Sequence, residues 1–404
     1  MTGLNPAASQ GVKSPRNIKV LHVITRMIVG GAQENTLLTA AGLGQMPGYE
    51  VHLATGTDDG TEGEIPASAP GIHQVKVIPE MRRSVNPVAD AIALWKLYQF
   101  MRRERFDIVH THLAKAGILG RVAARMAGVP TVVHGLHGMV FNDYQTWVVN
   151  RACWAAQRLV DPITDHYVTV STVVTDKAVE AGIGTRRNHT TIYSGMELDW
   201  FMAPEIGVEA ARAKWGIPTS ALVVGTIARM VPVKGYDILF DVIPEILQSH
   251  PNTYFLLVGD GPLMESLRTR AKVLGVAERV VFCGLLKREE IPAALAAMDV
   301  MAHPARYEGL PRVLVQALAM GKPCVAFDAD GTREVVVSGE TGYLITPGDA
   351  RAFAEAVQNL LADEDRRQRF GRAGRMKVDP AFRVETMVSE TDRVYRELQQ
   401  RRGV

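Results

Sequence analysis

The sequence has few cysteines, no long apolar run and almost no net charge. Its three cysteines are odd in number, widely spaced and set among apolar residues: Cys153, Cys283 and Cys324. This usage indicates a reducing compartment and argues against a disulfide framework or a zinc cluster. No run approaches the roughly 18 apolar residues that a membrane-spanning helix needs. The formal net charge of +2 argues against a general nucleic-acid-binding protein, which would carry a strongly basic domain.

Apolar residues are plentiful enough for two ordinary cores. They make up 47% of 404 residues, a length typical of two or three domains. Residues 1–16 are rich in Pro, Ala, Ser and Gly and lack the apolar region of a signal peptide, so we interpret them as a disordered leader. We therefore expect a cytoplasmic protein that contacts the inner face of the plasma membrane at most peripherally.

Apolar strands alternate with helical segments along most of the chain. Residues 18–24 form a buried type of strand that leads through Gly30-Gly31 into a helix predicted over residues 34–43. This rhythm predicts an α/β fold with open parallel sheets, helices on both faces and ligands at the carboxyl ends of the strands. Gly30-Gly31 is either a phosphate-approach turn or only a tight turn. The full G-x-G-x-x-G fingerprint is missing, so a nicotinamide cofactor has weak support.

Four histidines fall at the predicted strand ends, namely His110, His112, His134 and His137. They lack the spacing of helical metal ligands, and no nearby cysteine or carboxylate completes a set. A core or hydrogen-bonding role is the default for each, and we predict no metal site.

Residues 81–125 hold nine basic residues against three acidic ones. The simple interpretation is a solvated helix face. The alternative is contact with an anionic membrane surface or an anionic lipid-linked acceptor. The basic residues are Arg82, Arg83, Lys96, Arg102, Arg103, Arg105, Lys115, Arg121 and Arg125.

Two cations flank a predicted loop in the second half of the chain. A buried strand over residues 221–229 ends in Arg229, and Lys234 follows five residues later. Cations at a strand end suit a site that neutralises the charge growing on a diphosphate leaving group. Surface cations are common, however, and the pair alone does not decide the matter.

Residues 305–321 combine an acidic loop with an apolar helix. Glu308-Gly309 is typical of a turn, Pro311 suits the first helical turn, and residues 313–320 are predicted to be helical. The start of such a helix favours an anionic group such as phosphate. The adjacent Glu308 is suited to accept hydrogen bonds from sugar hydroxyls. The alternative is a buried helix with a capped start.

In order along the chain, these stretches resemble the retaining family-4 glycosyltransferases of the GT-B type. Glu308 matches the first Glu of the family's Glu-x₇-Glu signature, and Gln316 stands where the second is usual. Gly225-x₃-Arg229 followed by Lys234-Gly235, and the segment that leads to His137-Gly138, match further motifs. The resemblance extends from about Ile18 to Leu398.

The resemblance implies two Rossmann-like domains that face a cleft. The implied ranges are 1–16 for the leader, 17–200 for an acceptor-side domain, 201–218 for a crossover linker, 219–380 for a nucleotide-sugar-binding domain and 381–404 for a helix that returns to the first domain.

The resemblance also assigns roles. Arg229 and Lys234 would bind the diphosphate, Glu308 the transferred sugar, and Gln316 the ribose without a charge. His137 would approach the sugar from the opposite wall, with His134 as a second candidate. Further donor-binding positions are Gly30, Gly31, Leu285, Gly309, Leu310, Val313 and Arg312, the last as a replacement for the N–H that Pro311 lacks.

The implied reaction moves a hexose from a nucleotide-diphospho-sugar, a UDP-sugar or else a GDP-sugar, to a glycan or lipid-linked acceptor. Configuration would be retained, without a metal or other cofactor, as in polysaccharide and cell-envelope biosynthesis. Asp328-x-Asp330 matches the metal signature of another glycosyltransferase architecture, but nothing else fits that architecture. Two alternatives stay open: another GT-B enzyme, such as an epimerase or a phosphorylase, and a non-catalytic sugar-nucleotide-binding assembly protein, which Gln316 makes conceivable.

Overall fold

The computed structural model describes residues 16–57, 65–141 and 145–402, which form two parallel sheets covered by helices. The predicted leader, residues 1–16, lies outside the described residues apart from the exposed Arg16. The α/β class predicted from the alternation of strands and helices is confirmed.

Seven parallel strands form the first sheet: β1 (Ile18–Ile24), β2 (Tyr49–Thr55), β3 (Ile72–Val77), β4 (Ile108–His112), β5 (Thr131–Leu136), β6 (His166–Thr169) and β7 (His189–Thr191). Their order is β3-β2-β1-β4-β5-β6-β7, so the direction of strand addition reverses between β1 and β4. The carboxyl ends of the strands beside such a reversal form a crevice that suits a ligand.

The longer helices of this half are α1 (Gly31–Gln45), α2 (Pro87–Glu104), α3 (Ala114–Ala127), α4 (Trp147–Val160) and α5 (Thr172–Glu180). Both faces of β1 are covered, as a buried parallel strand requires. Leu21 and Val23 belong to one apolar cluster with Leu97 of α2, while Val20 belongs to another with Leu43 of α1.

Two short helices follow β7. Helix α6 (Asp199–Met202) overlaps the start of the predicted crossover, and helix α7 (Val208–Lys214) lies within it. The pattern of residues 201–218, with two prolines and two glycines, predicted only a linker. Arg212 of α7 is buried and lies 2.7 Å from Asp299, so the helix is held by a tertiary ion pair that its own sequence does not reveal.

Six parallel strands form the second sheet: β8 (Leu222–Ile227), β9 (Thr253–Val258), β10 (Val280–Gly284), β11 (Val300–His303), β12 (Cys324–Phe327) and β13 (Gly342–Ile345). Their order is β10-β9-β8-β11-β12-β13, with a reversal between β8 and β11. The helices of this half are α8 (Tyr236–Ser249), α9 (Met264–Val273), α10 (Ile291–Ala297), α11 (Arg312–Ala319), α12 (Thr332–Val335), α13 (Ala350–Ala362) and α14 (Glu364–Val378).

The last helix, α15 (Val384–Arg401), packs against α1 and the first sheet. Its apolar residues Met387, Val394 and Leu398 share a buried cluster with Val20 and Val133. The predicted return of this helix to the first half of the chain is thus seen in its contacts. The domain ranges 17–200, 201–218, 219–380 and 381–404 stay predictions.

The starts of two helices differ from the predicted ones. Helix α1 begins at Gly31 rather than at residue 34, because the extended Gly30 already serves as its N-cap. Helix α11 begins at Arg312, and Pro311 is its N-cap with an extended backbone rather than a residue of the first turn. Strand β3 is a half-exposed edge strand that pairs with β2, which weakens the apolar pattern of residues 72–77.

The basic segment 81–125 is not a uniformly solvated face. Arg121 is buried, and Lys96 and Lys115 are paired with Glu80 and Asp90 at 2.6 and 2.5 Å. The six that remain exposed are Arg82, Arg83, Arg102, Arg103, Arg105 and Arg125. Within the described ranges, no helix combines the length and the apolar character needed to cross a bilayer.

Candidate active site

The acidic loop between β11 and α11 meets a cation from the loop after β8. The Glu308 carboxylate forms an ion pair with Lys234, and its Oε1 lies 2.9 Å from Nε2 of His303, the last residue of β11. Strands β8 and β11 are neighbours and parallel, so the loops after their carboxyl ends are brought together by the sheet.

Glu308 is held as a carboxylate. Burial would raise its pKa, but the charge of Lys234 and the hydrogen bond from His303 lower the pKa to about 2. A charged, acceptor-only group at this place can bind hydroxyl donors and is not suited to protonate a leaving group near neutral pH.

Arg229 lies on the same loop as Lys234. It is exposed, it follows the end of β8, and the next residue, Met230, donates its backbone N–H to the Asp260 carbonyl at 2.8 Å. The structure thus places both predicted cations on one loop at the carboxyl edge of the second sheet, with Lys234 in contact with Glu308.

The start of α11 completes this side of the site. Gly309 and Leu310 precede the Pro311 cap, Val313 lies in the first turn, and Gln316 is half-buried one turn further. Leu285, the remaining predicted donor residue of this half, is exposed just beyond the end of β10.

The loop after β5 faces this assembly from the first half of the chain. The Tyr307 hydroxyl donates to the Met139 carbonyl, and Gly309 packs on the His137 backbone. A Cβ at Gly309 would lie 2.0 Å from the His137 carbonyl oxygen, so only glycine fits this approach. His137 and Glu308 therefore stand on loops that touch.

His137 is half-buried and neutral near pH 7. Burial, followed by the charge of Arg312, lowers its pKa to about 4. Its Nε2 lies 3.0 Å from Nδ1 of His112. His134, the second candidate, is buried with Nδ1 2.9 Å from the Thr111 hydroxyl, so it has an interior hydrogen-bonding role.

The Gly30-Gly31 turn contacts the second half of the chain through Arg312. A Cβ on Gly31 would lie 2.9 Å from Cδ of Arg312. The Arg312 guanidinium donates to the Gly195 carbonyl and pairs with Glu34, each at 3.0 Å. Arg312 thus holds the start of α1, and its expected role at the diphosphate stays a prediction.

Asp330 connects both halves to the acidic loop. Its Oδ2 accepts the backbone N–H of Glu308 at 3.0 Å, and its Oδ1 pairs with Lys177 of α5. It does this with φ of 44°, a left-handed conformation that few residues other than glycine adopt. Asp328, the other carboxylate of the Asp-x-Asp pattern, is paired with Arg333 at 2.9 Å.

Three residues of the site had no predicted role there: His303, Tyr307 and His112. The position of His303 at the carboxyl end of a central strand could have indicated a role in the site, because ligands bind at that edge of a parallel sheet. The contact of Tyr307 depends on how the loops after β5 and β11 meet, and the contacts of His112 depend on β4 lying between β1 and β5. The sequence pattern does not encode either arrangement.

Comparison with known proteins decides the family. The glycosyltransferase family 4 model matches residues 29–200, and the model for glycosyl transferases group 1 matches residues 207–377. A mannosyltransferase of Mycolicibacterium smegmatis, described as GDP-mannose-dependent alpha-(1-6)-phosphatidylinositol monomannoside mannosyltransferase, is 35% identical over 65% of this chain and 69% of its own. The chain belongs to the group 1, family 4 glycosyltransferases.

Other relatives of this glycosyltransferase agree in type and differ in detail. The UDP-Gal:alpha-D-GlcNAc-diphosphoundecaprenol alpha-1,3-galactosyltransferase of Escherichia coli is 28% identical over 71% of this chain and 74% of its own. Anabaena HepE, solved with UDP and glucose, matches with a TM-score of 0.78 at 22% identity over 94% of this chain and all of its own. This likeness confirms the predicted GT-B architecture.

Proposed function

We propose that this glycosyltransferase moves a hexose from a nucleotide-diphospho-sugar to a lipid-linked or glycan acceptor, with retention of configuration and without a metal ion. A UDP-sugar is the first candidate donor and a GDP-sugar the second. The relatives named above include one that uses each nucleotide, and both act on lipid-linked acceptors according to their names.

The proposal depends on the contact between Lys234 and Glu308. Lys234 lies on the same loop as Arg229, whereas Glu308 lies on the loop after β11. The Glu308 carboxylate contacts the same Lys234 ammonium group that would bind a phosphate. When the donor binds, its diphosphate takes over Lys234 and Arg229, and Glu308 becomes available to the sugar hydroxyls. His303 keeps the carboxylate in place through Oε1.

In the reaction, the bond between the anomeric carbon and the diphosphate oxygen breaks, and the acceptor oxygen bonds to that carbon from the same face. The proton of the acceptor hydroxyl passes to the departing diphosphate. Lys234 and Arg229 stabilise the negative charge that grows there, which is the role a divalent cation fulfils in other sites. The neutral His137 would contact the sugar or the acceptor from the opposite loop.

A membrane-bound acceptor fits the surface of the first half of the chain. Helix α3 packs between α2 and α4. Large apolar side chains on α2 and α4 are exposed, with Trp147 73% exposed and Leu159 80% exposed. Arg102 and Arg103 are exposed in the last turn of α2. Peripheral binding to an anionic bilayer uses apolar and cationic groups of this kind together. We propose this surface as the contact with the inner face of the plasma membrane.

Donor screening tests the proposed reaction. Thermal unfolding is measured with UDP- and GDP-sugars, and a donor well above its dissociation constant should stabilise by about 2–4 kcal/mol. Transfer from that donor is then followed by ¹H NMR with and without EDTA. The proposal predicts an unchanged anomeric configuration in the product and an EDTA-insensitive rate. An inverted product, a chelator-sensitive rate or stabilisation by neither nucleotide-sugar class would contradict it.

Vesicle sedimentation tests the membrane contact. Trp147→Ser/Leu159→Ser should lose most of its binding to vesicles that contain phosphatidylglycerol. A matched change on the second half of the chain, Val273→Ser, also replaces a highly exposed apolar residue and should bind like the parent. Equal binding by all three proteins would contradict the proposed surface.

A further inference from the structure

Three histidines form a chain of hydrogen bonds from the centre of the first sheet to the candidate active site. Nδ1 of His22 on β1 lies 3.0 Å from Nε2 of His112 on β4. Nδ1 of His112 in turn lies 3.0 Å from Nε2 of His137. His22 and His112 are buried almost completely, at 0% and 1% exposure, and the proposed reaction uses neither of them.

The local backbone leaves room for this chain. Strands β1, β4 and β5 are adjacent and parallel, which brings the ends of β4 and β5 next to each other. Gly135 of β5 lies beside His112, and a Cβ at Gly135 would come within 2.7 Å of Nδ1 of that ring. Any larger residue would therefore displace the imidazole that reaches His137.

The chain can carry its protons in only two ways. A neutral imidazole has one N–H donor and one bare acceptor nitrogen, so each ring in a chain donates in the same direction. In the first arrangement all three rings are protonated on Nδ1, and His22 donates to His112, which donates to His137. In the second arrangement all three are protonated on Nε2, and the donations run from His137 to His22.

The inner end of the chain favours the first arrangement. Nε2 of His22 is buried and has no hydrogen-bond partner in the described part of the protein. Protonation of this atom would leave a buried N–H donor without an acceptor. Native structures avoid such a donor more strictly than a buried acceptor without a donor. The first arrangement leaves only a lone pair at that place.

We propose that His22 and His112 are positioning residues that hold His137 in the tautomer with its proton on Nδ1. His112 takes the lone pair of His137 Nε2 as its acceptor, so the remaining ring nitrogen of His137 is an N–H donor. His137 then donates a hydrogen bond to an oxygen of the sugar or the acceptor, and it has no free lone pair with which to act as a base. This consequence rests on the proposed function, whereas the tautomer itself does not.

The tautomer is measured directly by two-bond ¹H–¹⁵N correlation spectra of protein labelled with ¹⁵N-histidine. Resonances are assigned with His22→Gln, His112→Gln and His137→Gln. The proposal predicts a protonated Nδ1 and a bare Nε2 for His137 in the wild type. A protonated Nε2 of His137 would overturn the proposal without any need for a variant that folds.

His112→Phe tests whether the chain imposes the tautomer. The ring fills a similar space but makes no hydrogen bond, so His137 should become a mixture of tautomers. With the donor found in the screen, kcat should fall by about tenfold or more while KM for the donor stays within about twofold, as expected when support of an active-site imidazole is lost. His166→Gln is the matched control, because His166 is buried in the same sheet and its Nε2 lies 2.9 Å from the Thr190 hydroxyl, away from the chain of three histidines. An unchanged His137 tautomer in His112→Phe would overturn the proposal.

Zinc provides a further decisive outcome. Ring nitrogens of His22, His110 and His112 lie within 4.8 Å of one another, close enough to be drawn around a metal ion. One equivalent of zinc added to the wild type should leave the histidine spectrum unchanged. A change in the ¹H and ¹⁵N chemical shifts of His22, His110 and His112 would indicate a metal site and would overturn the proposed hydrogen-bond chain. The spectra need no substrate, so a confirmed tautomer without sugar transfer would refute only the proposed function. Transfer with the opposite tautomer would refute only this inference.

Discussion

Removal of the Lys234 charge should separate the folding role of the Lys234–Glu308 pair from its chemical role. Lys234→Met keeps most of the length of the side chain and removes the cation from the Glu308 carboxylate, while the hydrogen bond to His303 is kept. The ordinary pKa of 4.5 is lowered to about 2 in the folded protein, a difference worth about 3 kcal/mol. Lys234 is the first of the lowering causes, so its loss should destabilise the fold by about 1–3 kcal/mol at pH 7.

The effect on transfer should be larger than the effect on folding. Lys234 is proposed to stabilise the departing diphosphate, and loss of one such group typically slows kcat by about 10²–10³. Lys234→Met/Glu308→Gln removes both charges and should recover much of the stability, because no buried carboxylate is left without its cation. Transfer by the double variant should stay as slow as in Lys234→Met or become slower.

Stability is measured by urea denaturation and transfer by initial rates at saturating donor. Lys214→Met is the matched control, because Lys214 pairs with Glu290 at 2.7 Å on the surface of the same half. This control should change neither quantity appreciably. If Lys234→Met transfers sugar within about tenfold of the parent, less than 1.4 kcal/mol of barrier, the assigned role of Lys234 is wrong.

Three further predictions follow from the site. Asp330→Gly should slow transfer by about three- to tenfold because the Glu308 N–H loses its acceptor. The melting temperature should change little, because the ease with which glycine adopts the positive φ offsets the lost ion pair with Lys177. A lower melting temperature with normal transfer would contradict this prediction. Gln316→Glu should tighten UDP or GDP binding severalfold in calorimetry, since a charged acceptor strengthens the hydrogen bond to the ribose. Weaker binding would contradict the predicted contact between residue 316 and the ribose. The folded-state pKa is lowered to about 3 for His22 and about 4 for His137, so the unfolded chain binds more protons below pH 6.5. The free energy of unfolding should therefore fall by about 1.4 kcal/mol per pH unit for each histidine as the pH drops below 6.5. Equal urea midpoints at pH 7 and about pH 5.5 would contradict this prediction.

The alternation of strands and helices was sufficient to predict the α/β class and the edge of the second sheet at which the site lies. Lys234 and Glu308 could be placed near each other because each follows a strand of a parallel sheet. Their direct contact could not be predicted, because it depends on β8 and β11 being neighbours, and sequence order does not state which strands pair.

Contacts between the two halves were beyond sequence reasoning. The Arg312 guanidinium pairs with Glu34 of α1 across the halves, a contact that no pattern in the sequence indicated. Asp330 looked like a loop residue, and its bond to the Glu308 N–H depends on a backbone conformation that is unusual for aspartate. Arg121 was counted with the surface cations, but Gln157 and Thr164, more than thirty residues away, accept its hydrogen bonds inside the protein.

Calorimetric titration of UDP and GDP tests most directly the claim that a donor diphosphate displaces Glu308 from Lys234. We expect one of the two nucleotides to bind once per chain, and Lys234→Met to weaken it by at least about tenfold, or 1.4 kcal/mol. Glu308→Gln should bind as tightly as the parent or more tightly, because the carboxylate no longer competes for the same cation. Binding of neither nucleotide, or binding that Lys234→Met leaves unchanged, would contradict the account.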